Sequence, residues 1–241
     1  MELIPLKSRL IQAKDNLLVI LLESLKNASE KILDGDILIV TSKVVSVSEN
    51  RFAELSPTCD ANKIAKQESD FWLGGNLFPL AIKNRILIPR SGVDSSNVEM
   101  GKLILWPRDS WKSAEKLRSE ILKKWGLRNF GIVISDSTCR PLRWGVSGIA
   151  LAWSGFEGVS DERGKKDLFG RKLKVTRRAI ADSLAAAAGI LSGEAAERIP
   201  FVLIRRSEVR FTQRTQKPRP FPPKEDLFAS IYKKSFRDLN F

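Results

Sequence analysis

The segment that most restricts this chain's fold is the apolar run Phe130–Ile134, in NFGIVISDSTCRPLRWG. Such a run reads as a buried strand. At its end Asp136 stands between two serines, and Arg140 and Arg143 follow within seven residues. A plain turn needs Gly, Asn or Pro rather than a cluster of both charges.

Periodicity organises the rest. Helices are expected over Asn16–Leu33, Ala61–Ser69, Thr176–Leu191 and Glu225–Arg237. A further helix, Ser110–Trp125, is capped by Asp109 and stopped by Gly126. Strands are expected at Ile37–Val40, NRILIP, GKLILWP, GVSGIALAWSG and FVLIR. WLGGN reads as a turn, and DERGKKDLFGRKL as a charged loop. The elements do not alternate regularly as βαβ units, so the fold class is α+β. No GxxxxGK[ST] P-loop and no GxGxxG Rossmann fingerprint occurs.

Composition narrows the chemistry. The chain of 241 residues contains no histidine, which excludes the Ser-His-Asp triad and histidine-bearing zinc sites. The two cysteines, Cys59 and Cys139, provide neither a disulfide framework nor a zinc site. Remaining ligands are oxygens, which favour a hard cation such as Mg²⁺ or Mn²⁺. No apolar run approaches a membrane span and the first residues lack a signal-peptide layout, so a cytoplasmic location is expected. The net charge of +13 suits anionic partners, whether phosphorylated small molecules or nucleic acid. Basic residues concentrate in the proline-containing stretch Arg205 to Arg219, but no RNA-binding motif accompanies it.

Three carboxylates follow apolar elements beside small or hydroxyl residues: Asp94 in SGVDSSN, Asp136 in ISDST and Glu194 in LSGEAA. Converging in a cleft, they would bind a divalent cation that bridges phosphates, with Arg140 and Arg143 clamping an anion. Taken singly, each is more often a turn or cap residue than a ligand.

The motifs GDILIVTSKVVSVSENR, SGVDSSNVEMG, VISDSTCRPLRWGVSGIALAWSG, RGKKDLFGRKLKVTRRAIADSLAAAA and SGEAAERIPFVLIR occur in this order. Together they resemble the coenzyme F420 γ-glutamyl ligase family of the CofE type, over roughly residues 5 to 206. The resemblance implies an α+β homodimer of mixed sheets and packed helices. It implies an enzyme that uses GTP and Mg²⁺ or Mn²⁺ to join L-glutamate to an anionic carboxylate acceptor, the F420 precursor; potassium is also associated with the family. The ligase-like domain would span 1–206, in one body or two lobes around a nucleotide groove. The segment 207–241 would be a basic C-terminal extension ending in a helix.

Carried over by position, Asp94 and Asp136 resemble ligands of one metal, with Ser137 and Glu194 serving a second. Ser42, Lys43 and Asn97 resemble nucleotide contacts, as do Ser192, Gly193, Ala195, Ala196, Glu197, Arg198 and Ile199. The segment Lys7 to Leu10 falls where the family begins its nucleotide pocket. Arg140 and Arg143 would hold phosphate or acceptor charge. Where the family carries a nucleotide-contacting lysine this chain has Val47, and where it carries a glycine this chain has Asn50. Lys43, four residues before Val47, would share its face if the segment is extended. Arg90 adds a cation to IPRSGVD. Two other readings stay open: the same ligase chemistry on a different acceptor such as a folate, and a nucleotide- or nucleic-acid-binding relative without catalysis.

Overall fold

In chain order, the computed structural model places β1 (Glu2–Leu6), α1 (Leu17–Asn27), β2 (Ile37–Thr41), α2 (Ser42–Ser48), β3 (Phe52–Glu54) and α3 (Ala61–Glu68) in the first third of the molecule. There follow β4 (Phe71–Gly74), β5 (Leu80–Lys83), β6 (Ile86–Pro89), β7 (Lys102–Ile104), α4 (Ser110–Trp125) and β8 (Gly131–Cys139). The last are β9 (Val146–Ser154), β10 (Val159–Asp161), β11 (Arg177–Ala179), α5 (Ile180–Ser192) and β12 (Phe201–Arg205). The structure describes residues 1–75, 78–213, 215, 217, 218, 221, 222 and 225–229. The helix expected over Glu225–Arg237 lies for the most part outside them. Elements divide between two compact units, residues 1–51 with 106–217, and residues 52–105 with 218–241.

The first unit is built on a five-stranded sheet ordered β1-β12-β2-β8-β9. Its central pair, β2 and β8, is parallel, and every other pairing is antiparallel. Because strand side chains alternate, each apolar run supplies both faces. Leu38, Val40, Ile132, Ile134, Phe201 and Leu203 pack with α1 and α4 on one face. Ile37, Ile39, Val133, Val202 and Ile204 pack with α5 on the other. Covered on both sides, the central strands need continuous rather than alternating hydrophobicity. Burying each such side chain stabilises the fold by about 1.5–3 kcal/mol.

Several expectations are corrected. α1 stops at Asn27, well short of Leu33. The alanine-rich helix starts at Ile180, because Arg177–Ala179 pairs as a strand with Val159–Asp161. β8 does not end at Ile134 but continues through Asp136 to Cys139, paired with β9 past an irregularity at Ile134/Ser135. WLGGN is not a simple turn, since Phe71–Gly74 forms β4.

The second unit, taken by itself, holds the β3–β7 ribbon, the β4-β5-β6 sheet and α3. Its small core is Ile64, Ala65, Val93, Leu103 and Leu105. Asn84 and Arg85, both at positive φ, turn β5 into β6.

Candidate functional site

Strand direction brings several predicted residues to one edge of the central sheet. β2 and β8 are parallel, so their C-terminal portions lie side by side, with Thr41 opposite Ser135. β12 is antiparallel to β2, so its approach from α5 arrives at the same edge. There the Thr41 amide donates to the Pro200 carbonyl at 3.0 Å, and the Ser8 amide donates to the Arg198 carbonyl at 2.9 Å. Residues 7–10, 42–43, 136–137 and 192–199 therefore all issue from this edge. Crevices at the carboxyl ends of parallel strands are where open sheets commonly bind ligands.

Asp136 is half-buried, on the strand face shared with Ile132 and Ile134. Its Oδ1 accepts the Ser137 amide at 2.9 Å, and its Oδ2 accepts the indole N–H of Trp106. Trp106 was expected only to extend the strand GKLILWP, and it escaped functional notice. A signal existed: a buried tryptophan N–H needs an acceptor, and Trp106 is 2% exposed.

Ser42 is buried at the start of α2, and Lys43 follows it half-exposed. The expectation of an extended segment here is corrected, since Ser42–Ser48 is helical. Lys43 and Val47 nonetheless share a face, because positions four apart are neighbours on a helix. Asn50 adopts φ 54°, a left-handed conformation that asparagine tolerates better than most residues. This explains how it occupies a glycine position.

α5 ends at Ser192, and Gly193 turns the chain at φ 68°. Its ψ of −177° completes a conformation open essentially only to glycine, so glycine is required. Glu197 accepts the Ala195 amide at 2.8 Å, which closes the 193–197 loop. Glu194, Ala195, Ala196 and Arg198 are exposed, while Ile199 packs against the core.

Arg140 and Arg143 occupy the exposed β8–β9 turn. Arg140 Nε donates to Ser147 Oγ at 3.1 Å, and the Arg143 amide closes the turn on the Arg140 carbonyl. Leu142 and Trp144 beside them are fully exposed.

Asp94 and Asn97 belong to the second unit. The Asp94 backbone bridges Ile104 in both directions, and its carboxylate accepts the Ser96 amide at 2.8 Å and the Ser96 hydroxyl at 2.7 Å. This is the turn geometry that aspartate favours. Asn97 is exposed at φ 56°. Arg90 opens three consecutive left-handed residues, Arg90–Gly92, and its guanidinium lies 4.9 Å from the Phe78 ring centroid.

The charged loop 162–176 is a finger rising from β10 and β11. Asp167 accepts the Phe169 and Arg171 amides, each at 2.9 Å. Glu162 bonds Ser160, Lys165 and Arg178, which hold its carboxyl down at about 2. Asp161 is lowered further by Arg163.

Among the described residues no three His, Cys, Asp or Glu side chains are grouped to hold a metal ion. Mg²⁺ bound to a nucleotide uses one or two carboxylates, with phosphates and water completing its shell. Asp136, fixed by two N–H donors and followed by Ser137, supplies oxygen donors of that kind.

A family model for F420-0:gamma-glutamyl ligase matches residues 5–206. A Methanocaldococcus jannaschii protein named coenzyme F420:L-glutamate ligase is 37% identical over 221 residues, 84% of this chain and 88% of that protein. A protein of the same name from Methanothermobacter thermautotrophicus is 33% identical over 214 residues, 81% of this chain and 84% of its own. Another, from Archaeoglobus fulgidus, is 38% identical over 189 residues, 71% and 76% of the two chains.

Proposed function

Because this chain belongs to the F420-0:γ-glutamyl ligase family and is therefore a ligase, we propose that it adds L-glutamate to an F420 precursor-like acceptor with GTP as the energy source. The acceptor carboxylate attacks the γ-phosphorus of GTP. GDP leaves and an acyl phosphate forms. The glutamate amine then attacks the acyl carbon and loses a proton, and phosphate departs as the amide closes. Each step asks the protein chiefly for positioning and electrostatic stabilisation.

The observation that carries this reading is the convergence at one sheet edge of residues 42–43, 136–137 and 192–199. Asp136 would hold a magnesium or manganese ion, and Ser137 and Glu194, from the same edge, would serve a second. When bound, the metal neutralises phosphate charge and aligns the γ-phosphate. Ser42 and Lys43 face the nucleotide, and the 192–199 loop approaches it through backbone groups. Arg140 and Arg143, exposed at the hairpin tip, meet the acceptor's negative charge. Potassium, which the resemblance implies, would serve as a monovalent ion. The fully exposed Leu142, Trp144 and Leu168 support a homodimer. The reaction would run in the cytoplasm, where nucleotide and glutamate are supplied.

The test is phosphate release from GTP with Mn²⁺ and L-glutamate, run against acceptors that include the F420 precursor and a folate. Acceptor-dependent release with a product heavier by one glutamyl unit is expected with the F420 precursor. Asp136→Asn should lower turnover by roughly 10²–10³-fold, the equivalent of several kcal/mol of charge stabilisation. GTP binding without release on any acceptor, or undiminished metal-dependent turnover in Asp136→Asn, would refute this assignment.

A further inference from the structure

We propose that Trp106 is a positioning residue, whose indole N–H fixes the orientation of the Asp136 carboxylate that receives the metal. The inference rests on the reading of Asp136 as a ligand. A terminal aspartate torsion is broad and roughly two-fold, so an unsupported carboxylate samples many orientations. Here each oxygen meets a different N–H: Oδ1 that of Ser137 at 2.9 Å, and Oδ2 that of Trp106. Each oxygen keeps lone-pair capacity beyond the bond it accepts. The two donors therefore orient the group and leave it able to coordinate.

The donor is itself anchored. Trp106 is buried and its carbonyl accepts Arg51 Nε at 3.1 Å. The Arg51 amide in turn bonds the Ser46 carbonyl at 2.9 Å, which links Trp106 to α2, where Ser42 and Lys43 begin. One chain of contacts thus runs from the nucleotide-facing helix to the metal-facing carboxylate. Partners of this outer kind typically change metal affinity by about 10–100-fold when removed. Had the contact served only to satisfy an indole, it would govern stability and leave affinity alone.

The experiment compares wild type, Trp106→Phe, Asp136→Asn and the core control Ile121→Val. Mn²⁺ is titrated with GDP present and free Mn²⁺ is followed by electron paramagnetic resonance; a melting curve is recorded for each protein. Trp106→Phe should weaken Mn²⁺ binding by roughly 10–100-fold, whereas Ile121→Val lowers Tm without weakening it. Unchanged affinity in Trp106→Phe, with affinity lost in Asp136→Asn, overturns the role of Trp106 and spares the assignment of Asp136. Unchanged affinity in both variants overturns both. Should Trp106→Phe not fold, tryptophan-labelled ¹⁵N wild type serves instead. The indole cross-peak displaced in Asp136→Asn identifies Trp106, and Mg²⁺ with GDP should shift it. A cross-peak that stays in place overturns the proposal.

Discussion

Gly148, on β9, faces the backbone of α5 so closely that an added Cβ would lie 2.3 Å from the Ala185 carbonyl oxygen. The neighbour is helix backbone and cannot swing aside. Gly148→Ala should therefore destabilise by about 1–3 kcal/mol through overpacking, seen as a lower urea midpoint at constant m. An unchanged midpoint would mean that α5 slides at little cost. The alanines of α5 have the same origin, since Ala181, Ala185 and Ala188 are buried against the sheet and bring the helix near. Single residues were unevenly legible. Asp136 announced itself, because a carboxylate after an apolar run demands a reason. Trp106 did not: its bond to that carboxylate joins residues thirty apart in sequence, and no local pattern encodes that. Val47 and Asn50 could be noticed as departures, but only the structure puts Val47 on the helix face of Lys43 and Asn50 in a left-handed turn that suits it.

Elements defined by local chemistry were readable, and those defined by a distant partner were not. α4 runs Ser110–Trp125 as its caps predict, with the Asp109 carboxylate accepting the Lys112 amide and Gly126 left-handed at φ 63°. β11 shows the opposite. Its residues Arg177–Ala179 look like a helix start, yet pairing with β10 draws them into a strand. The finger above that pair makes an element-scale prediction. Glu162 is lowered from 4.5 to about 2 by Lys165, Ser160 and Arg178. A depressed carboxylate contributes stability above its unfolded pKa and loses it as pH falls through the folded one. Relative to Glu162→Gln, wild type should keep a constant advantage in Tm above pH 4.5 and lose it progressively toward about pH 2. A difference that stays flat across that window would show that these pairs, whose cations are exposed, contribute nothing measurable, as many surface pairs do.

At the scale of the molecule, α+β could be inferred because helical and strand periods mix without alternation. The sheet order could not: β1 pairs with β12 from the far end of the matched span, and no local signal marks the pairing. In the second unit α3, β6 and β7 could be read from Ala61–Ser69, NRILIP and GKLILWP, whereas β3, β4 and β5 could not. Strands of three or four residues are too short to display a period, and in β4 the glycines of WLGGN read instead as a turn. Net charge is the property that belongs to the whole chain. At +13 it raises the local concentration of anions around the protein, and in the proposed reaction GTP and the acceptor are both anionic. Long-range attraction of this kind is screened over about 10 Å at 0.1 M salt and about 3 Å at 1 M. Raising NaCl from about 0.05 to 0.5 M should therefore raise KM for GTP and acceptor severalfold. It should leave kcat much less affected, because ions held in place at the reacting centre are screened less than exposed charges. Neutralising Arg140 and Arg143 together should flatten the salt dependence for the acceptor more than for GTP, since both sit at the hairpin tip proposed to meet the acceptor's charge. Equal flattening for both substrates would assign the attraction to the general charge of the surface. A fall in kcat at constant KM would place the effect of salt on the chemical step itself.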